Sequence, residues 1–187
     1  MKRSIKVYIA ASLDSYIATE EEGLDWLTGV AGEGDNGYGA FLQTVDTVVM
    51  GRRTYEWILA QTGREAFPYL GKTCYVRSGS APHTDGLATF TNESADALAA
   101  RLRATEGGDI WLVGGGRMLD DFIRRRLIDA WIVTVAPAIL GGGIPLFRAA
   151  GVPAALTLTD VRRYGQFAQL TYTAAPADTA ATPAPTA

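Results

Sequence analysis

The sequence of 187 residues has one cysteine, Cys74, and one histidine, His83. A lone cysteine cannot close a disulfide within the chain or build a cysteine-based zinc site. Cys74 lies in the strand-like run 73–76, where a small buried hydrophobe is the expected role. His83 sits in the turn-rich stretch SAPHTDG, a poor setting for a catalytic base, and no Ser-His-Asp arrangement is evident. Positive charge is not in excess either. Lys and Arg number 17 against 20 Asp and Glu, a net charge of −3, so nothing draws the chain in bulk to nucleic acid or an anionic membrane. No apolar run approaches the roughly 20 residues that cross a bilayer. The start, MKRSIKVYIAASL, has a short apolar stretch without a convincing cleavage site, and reads as a first strand of a cytoplasmic protein.

The length suits one domain with a real core. Strand-like runs fall at 5–11, 47–50, 73–76, 110–113, 131–136, 155–159 and 167–173, with helical patterns at 38–44, 54–61, 94–103 and 117–127. Strands that alternate with helices and then close on consecutive strands predict a three-layer α/β sandwich. Its central sheet is expected to be mostly parallel, with an antiparallel C-terminal edge. The domain is expected over 1–174. The Ala/Pro/Thr-rich remainder, 175–187, has no large apolar side chain to offset the entropy of ordering and reads as a disordered tail.

Two stretches carry chemistry. In VVMGRRTYE a buried strand ends at Gly51, and Arg52, Arg53 and Thr54 follow at a helix start, where cations oppose the helix dipole. Local stability does not call for them there. A bound anion would, because free N–H groups at a helix start already favour one. In IWLVGGGRM a second strand delivers Gly114, Gly115 and Gly116 to a helix start with Arg117 in its first turn, where backbone N–H groups can approach a diphosphate. The stretch is neither a full Rossmann fingerprint, since Leu119 stands where a third glycine would be, nor a Walker loop.

Taken in order, YIAASLDSYIA, GLDWL, DTVVMGRRTYE, YVRSGS, WLVGGGRM and LIDAWIVTVAPAILGGGIPLF resemble the dihydrofolate-reductase-like family. The likeness is closest to the reductase domain of the bifunctional riboflavin-biosynthesis deaminase/reductase. It implies NADPH as cofactor. By position, Arg52 would meet the adenosine 2′-phosphate with Arg77 as a second cation, and Ser78 would lie near the adenosine half. Gly51, Arg53, Thr54, Arg117 and the glycines 114–116 would hold the diphosphate and nicotinamide ribose. Ala11 and Ile17 would offer backbone groups to the nicotinamide carboxamide.

On the substrate side, Ser12 and Asp14 follow the first strand in SLDSY, where Ser15 replaces a glycine usual in the family, and Trp26 and Leu27 are available as a wall. Asp14 and, at the folate-type position, Asp35 are the candidate proton donors. Glu20, Glu21 and Glu22 read as a solvated run. LGGG at 140–143 fits either a substrate phosphate loop or a hairpin bend.

The resemblance therefore implies a hydride transfer to a pyrimidine- or pteridine-type substrate. The first expectation is activity like that of 5-amino-6-(5-phosphoribosylamino)uracil reductase, the second is dihydrofolate reduction, and a non-catalytic nucleotide-binding module is the alternative of another class. The deaminase half is absent, as one histidine and one cysteine cannot supply its zinc ligands. The branch also implies a homodimer through the apolar C-terminal strands, with no metal.

Overall fold

A computed structural model of the chain describes residues 3–148 and 153–175. The chain runs through β1 (Ile5–Ser12), β2 (Tyr16–Ala18), α1 (Asp25–Thr28), α2 (Tyr38–Thr44), β3 (Val45–Gly51), α3 (Arg52–Thr62) and β4 (Thr73–Arg77). It continues through β5 (His83–Thr84), β6 (Thr89–Thr91), α4 (Ala95–Arg103), β7 (Asp109–Gly114) and α5 (Gly116–Arg124). The last strands are β8 (Ala130–Ala136), β9 (Ile144–Pro145), β10 (Leu156–Tyr164) and β11 (Phe167–Ala174). Nine strands form one sheet in the order β10-β11-β8-β1-β7-β3-β4-β6-β5, and β2 pairs separately with β9. The run from β8 to β6 is parallel, whereas β11 and β10 add an antiparallel edge and β5 a short one at the other end.

Side-chain alternation along the central strands explains the layers. Ile5 and Val7 of β1, Val49 of β3 and Ile110 and Leu112 of β7 face one side with Leu98 and Leu102 of α4 and Leu119 and Phe122 of α5. Val48, Met50 and Trp111 face the other side, with Phe41 of α2 and Tyr55 and Ile58 of α3. Because both faces of the sheet are covered, the central strands are apolar on both, and the fold is a three-layer α/β/α sandwich.

Two expected elements differ from the observed ones by three residues or more at one end. The strand expected to end at residue 159 continues to Tyr164, because its second half carries Asp160, Arg162 and Arg163 on a solvated edge and so shows no apolar run. The last helix starts at Gly116 and stops at Arg124, with Arg126 at φ 52 breaking it. The tail expected over 175–187 lies, from residue 176 onward, outside the described residues.

Candidate functional site

The parallel strands β3 and β7 are neighbours, so the helices that follow them start side by side at the carboxyl edge of the sheet. α3 begins after Gly51 and α5 after Gly115, and neither start has a side-chain cap. The two starts touch: a Cβ on Gly115 would lie 3.1 Å from Thr54 Oγ1 and 3.6 Å from the Gly51 Cα. Gly115 also has φ 97, which an L side chain resists. Two uncapped helix starts with their N–H groups and dipoles converging make a strong local preference for an anion.

These starts lie in a cleft of about 1200 Å³. Gly51, Arg52, Arg53, Thr54, Arg77, Ser78, Gly114, Gly115, Gly116 and Arg117 all line it, as does Ile17, so the structure assembles these dispersed positions into one place. Carboxylates hold several of the cleft's cations. Arg52 bonds Glu56 at 2.7 Å, Arg53 bonds Glu22 at 2.5 Å, and Arg77 bonds Asp121 at 2.6 Å and donates to the Glu93 carbonyl at 3.0 Å. Burial alone would raise the Asp121 pKa, but Arg125 and Arg77 outweigh it and hold the carboxyl below its usual range. Glu22, expected to face water, lines the cleft instead. A cation that the sequence reading did not select is Arg148, whose Nε would sit 3.2 Å from a Cβ on Gly116. Its nearest carboxylate is Asp120, buried on α5, at 3.9 Å. Asp120 Oδ1 has no hydrogen-bond partner among the described residues.

The other end of the cleft is aromatic. Tyr8, Tyr38, Tyr69 and Trp111 line it as a contiguous set, with Tyr8 and Trp111 ring centres 6.3 Å apart and Tyr69 and Trp111 5.4 Å apart. Behind this wall Tyr8 stacks on Phe41 at 4.4 Å. A smaller cavity of about 330 Å³ shares Tyr8, Ala10, Leu27 and Tyr38 with the cleft and is bounded by Asp35, Asn36 and Thr134. Buried Gln169 donates to Thr134 Oγ1 at 3.0 Å and to the Tyr8 hydroxyl at 3.3 Å, fixing this floor. These aromatic positions were missed because Tyr8 and Trp111 read simply as strand residues. Both lie inside apolar strands, where an aromatic residue suits the core equally well.

Several selected residues lie elsewhere. Ala11 is buried, and its neighbour Ala10 lines the cleft instead. Trp26 lines neither cavity, whereas Leu24 and Leu27 line the cleft. Ser12 ends β1 and holds the turn that follows: its hydroxyl donates to Asp14 at 2.6 Å and accepts from Tyr16 N at 2.9 Å. Ser15 takes φ 67, the left-handed conformation that a glycine would adopt freely. Asp14 accepts from Leu140 N at 3.1 Å and from Gly141 N at 2.7 Å, so it ties this turn to LGGG rather than lining the cleft. The Ser12 hydroxyl and the backbone N–H groups of Gly141 and Leu140 hold the Asp14 carboxyl below the ordinary carboxylate range. Asp35 accepts from Gly37 N at 3.0 Å and Gly39 N at 2.7 Å while bounding the smaller cavity. LGGG is a connection onto β9, and a Cβ on Gly143 would strike the Ala18 carbonyl.

Residues 81–170 match the RibD C-terminal domain model. The Bacillus subtilis (strain 168) protein YwjB, uncharacterized by name, is 47% identical over 173 residues, covering 92% of this chain and 98% of that protein. The chain belongs to the RibD C-terminal domain family. Among solved structures, this family member is similar to a Shewanella sp. PV-4 protein whose name places it in riboflavin biosynthesis. That likeness has a TM-score of 0.82 and 29% identity over 92% of this chain and 99% of the other. It also shares its fold with dihydrofolate reductase from Enterococcus faecalis, solved with NADP(H), at a TM-score of 0.63 and 17% identity over 93% and 99% of the two chains. The family member therefore has a dihydrofolate-reductase-like fold.

Proposed function

We propose that the chain is a reductase that binds NADPH between the starts of α3 and α5 and transfers a hydride from it to a pyrimidine- or pteridine-type ring in the aromatic end of the cleft. The observation that carries this reading is the contact of two uncapped helix starts, Gly115 against Thr54, inside a cleft lined by arginines. The donor set fits a dinucleotide with a phosphorylated ribose. Backbone N–H groups after Gly51 and Gly115 suit a diphosphate, and Arg52 with Arg77 suits a further phosphate. When bound, the nicotinamide supplies the hydride, which is the cofactor's own chemistry. The chain's residues position the two rings and keep water from them.

The transfer also needs a proton. Asp14 is stabilised as a carboxylate by three donors and lies off the cleft, so it is assigned to holding the loop before β9. Asp35 is assigned as the donor. It is exposed in this structure and bounds the smaller cavity, which shares Tyr8 and Tyr38 with the cleft. A homodimer through the edge strand β10 belongs to the same reading. The register shift between Leu158 and Asp160 sets Val161 opposite Leu170, in line with Leu156 opposite Ala174 and Leu158 opposite Tyr172. These three residues form one apolar face that is 40%, 51% and 59% exposed at Leu156, Leu158 and Val161.

The test is loss of nicotinamide absorbance when the protein and NADPH meet candidate heterocycles. 5-Amino-6-(5-phosphoribosylamino)uracil and dihydrofolate are tried alongside unphosphorylated aminopyrimidines and pterins. Oxidation that depends on the heterocycle supports the reading. NADPH binding without oxidation by any of them would instead mark a nucleotide-binding module.

A further inference from the structure

Arg148 is held differently from the paired arginines of the cleft. Arg52, Arg53 and Arg77 each meet a carboxylate within hydrogen-bond range, at 2.7, 2.5 and 2.6 Å. The carboxylate nearest Arg148 among the described residues is Asp120, whose Oδ2 lies 3.9 Å from the arginine Nε, too far for a hydrogen bond. Asp120 is only 8% exposed, and its Oδ1 has no partner among the described residues. A buried carboxylate in this state is costly, and the guanidinium beside it has N–H donors to spare.

The chain delivers this guanidinium to the start of α5. β9 pairs with β2, Ile144 opposite Ala18 and Pro145 opposite Tyr16. Buried Leu146 donates its N–H to the Ser15 carbonyl at 2.8 Å, and the Phe147 ring lies 5.6 Å from that of Trp131. These successive anchors fix the backbone that carries Arg148. Its Nε, Cζ and Nη2 lie 3.2, 3.7 and 3.7 Å from where a Gly116 Cβ would be. Gly116 and Asp120 are four residues apart on α5 and share a face, so the guanidinium lies along that face between the free N–H groups of the helix start and the Asp120 carboxylate. The same contact accounts for glycine at 116. The backbone there is helical, where alanine is the more stable residue, and an added methyl would meet Arg148.

We infer that Arg148 contacts the anion bound at the start of α5 and that Asp120 is its positioning residue, taking one edge of the guanidinium so that the other faces the anion. A guanidinium is a planar fork of donors and can serve two acceptors at once. The inference rests on the proposed seat of the cofactor diphosphate between α3 and α5, and adds a residue pair to it. Arg52 is assigned to the 2′-phosphate, whereas Arg148 meets the diphosphate that NADP⁺ and NAD⁺ have in common. The effect of Asp120 then changes sign with Arg148. Beside the arginine it holds a cation in place; without the arginine it is an uncompensated negative charge close to an anion.

The test is a double-mutant cycle read by calorimetric titration of NADP⁺ and NAD⁺. The unmodified protein is titrated first: if it binds neither dinucleotide, the proposed function is refuted and this inference falls with it. Where it binds, Arg148→Ala is expected to weaken both dinucleotides by the same factor, about 10-fold or more. Arg148→Lys keeps the charge without the fork and is expected to recover only part of that loss. Asp120→Asn is expected to weaken both dinucleotides several-fold on its own and to strengthen both in the Arg148→Ala background. Unchanged affinities in Arg148→Ala, or a loss confined to NADP⁺, overturn the assignment of Arg148, and full recovery by Arg148→Lys overturns the shared fork. Tighter or unchanged binding by Asp120→Asn alone overturns the positioning role. Arg148 is exposed, so its variants decide the assignment even if Asp120→Asn melts too low to titrate.

Discussion

Replacing each glycine of Gly114–Gly116 by alanine perturbs the proposed diphosphate site in three different ways, and the structure ranks them. Gly114 has φ 144 with no atom within 4 Å of an added Cβ, so Gly114→Ala meets only backbone strain. Gly115 adds to φ 97 a tight contact of 3.1 Å with Thr54 Oγ1, while the Gly51 backbone at 3.6 Å is in ordinary van der Waals contact. Gly116 has ordinary helical backbone, and its Cβ would meet only the flexible Arg148 side chain, 3.2 Å away. Unfavourable φ costs of order 1–3 kcal/mol, while alanine in a helix gains about 0.5–1 kcal/mol over glycine. We expect losses of about 1–2 kcal/mol for Gly114→Ala and about 2–3 kcal/mol for Gly115→Ala, and almost none for Gly116→Ala. At roughly 2–4 °C per kcal/mol for a domain of this size, Gly115→Ala should melt about 4–12 °C below the parent and Gly116→Ala within about 2 °C of it. In the same preparations, NADPH titration should show Gly116→Ala weakened despite its normal melt, because the methyl displaces Arg148 and crowds the helix start. Gly115→Ala melting like the parent, or Gly116→Ala as the least stable of the three, would refute the described meeting of α3 and α5.

Arg52→Ala should weaken NADPH about 2- to 100-fold and leave NADH nearly unchanged. A charge-assisted bond to the 2′-phosphate is worth about 1.5–3 kcal/mol, and the exposed Arg52–Glu56 pair that competes with it about 0.2–1 kcal/mol. Asp35→Asn should lower kcat by about 10²-fold or more, whereas Asp14→Asn should chiefly loosen the 140–143 loop; the reverse pattern in steady-state rates would exchange the two roles. Burial opposes ionisation of Asp85, but the Tyr55 hydroxyl and the N–H groups of Ala88 and Leu87 hold it at about 2. Its folded pKa is depressed, so its stabilisation is present above about pH 4 and lost as pH falls toward 2. In melts across that range, Tyr55→Phe should lose stability less steeply, and an unchanged acid slope would show that the hydroxyl does not hold Asp85. Leu158→Asp with Val161→Asp should give a monomer by light scattering, and a dimer that survives both changes would place the interface elsewhere.

Where burial and hydrophobic pattern coincide, the fold was legible. The central strands β1, β3, β4, β7 and β8 are predominantly apolar because the sheet is covered on both faces there. β2, β5 and β9, of two or three residues, and α1, with no side-chain cap, are too short to show a period and exist because neighbours pair with or pack on them. At the site, Arg52, Arg53 and the glycines were legible because they break local rules, cations at a helix start and glycines after a strand. Tyr8, Tyr38 and Trp111 break none, since an aromatic residue beside an apolar run also suits a core, and only the assembled sheet puts them on one wall. Asp14 was ambiguous for the opposite reason. A carboxylate after the first strand fits an acid as well as a cap, and the deciding donors, Leu140 and Gly141, lie far along the chain. Glu22 was read as solvated because a run of three glutamates hides the member that meets Arg53.

The most direct test of the central claim is parallel titration of the unmodified protein with NADPH and NADH, followed by tryptophan fluorescence, since Trp57 and Trp111 both line the cleft. The account predicts saturable quenching by both, with NADPH tighter by about 10-fold or more through the arginines around the α3 start. Equal affinities, or no saturable response to either, would contradict it.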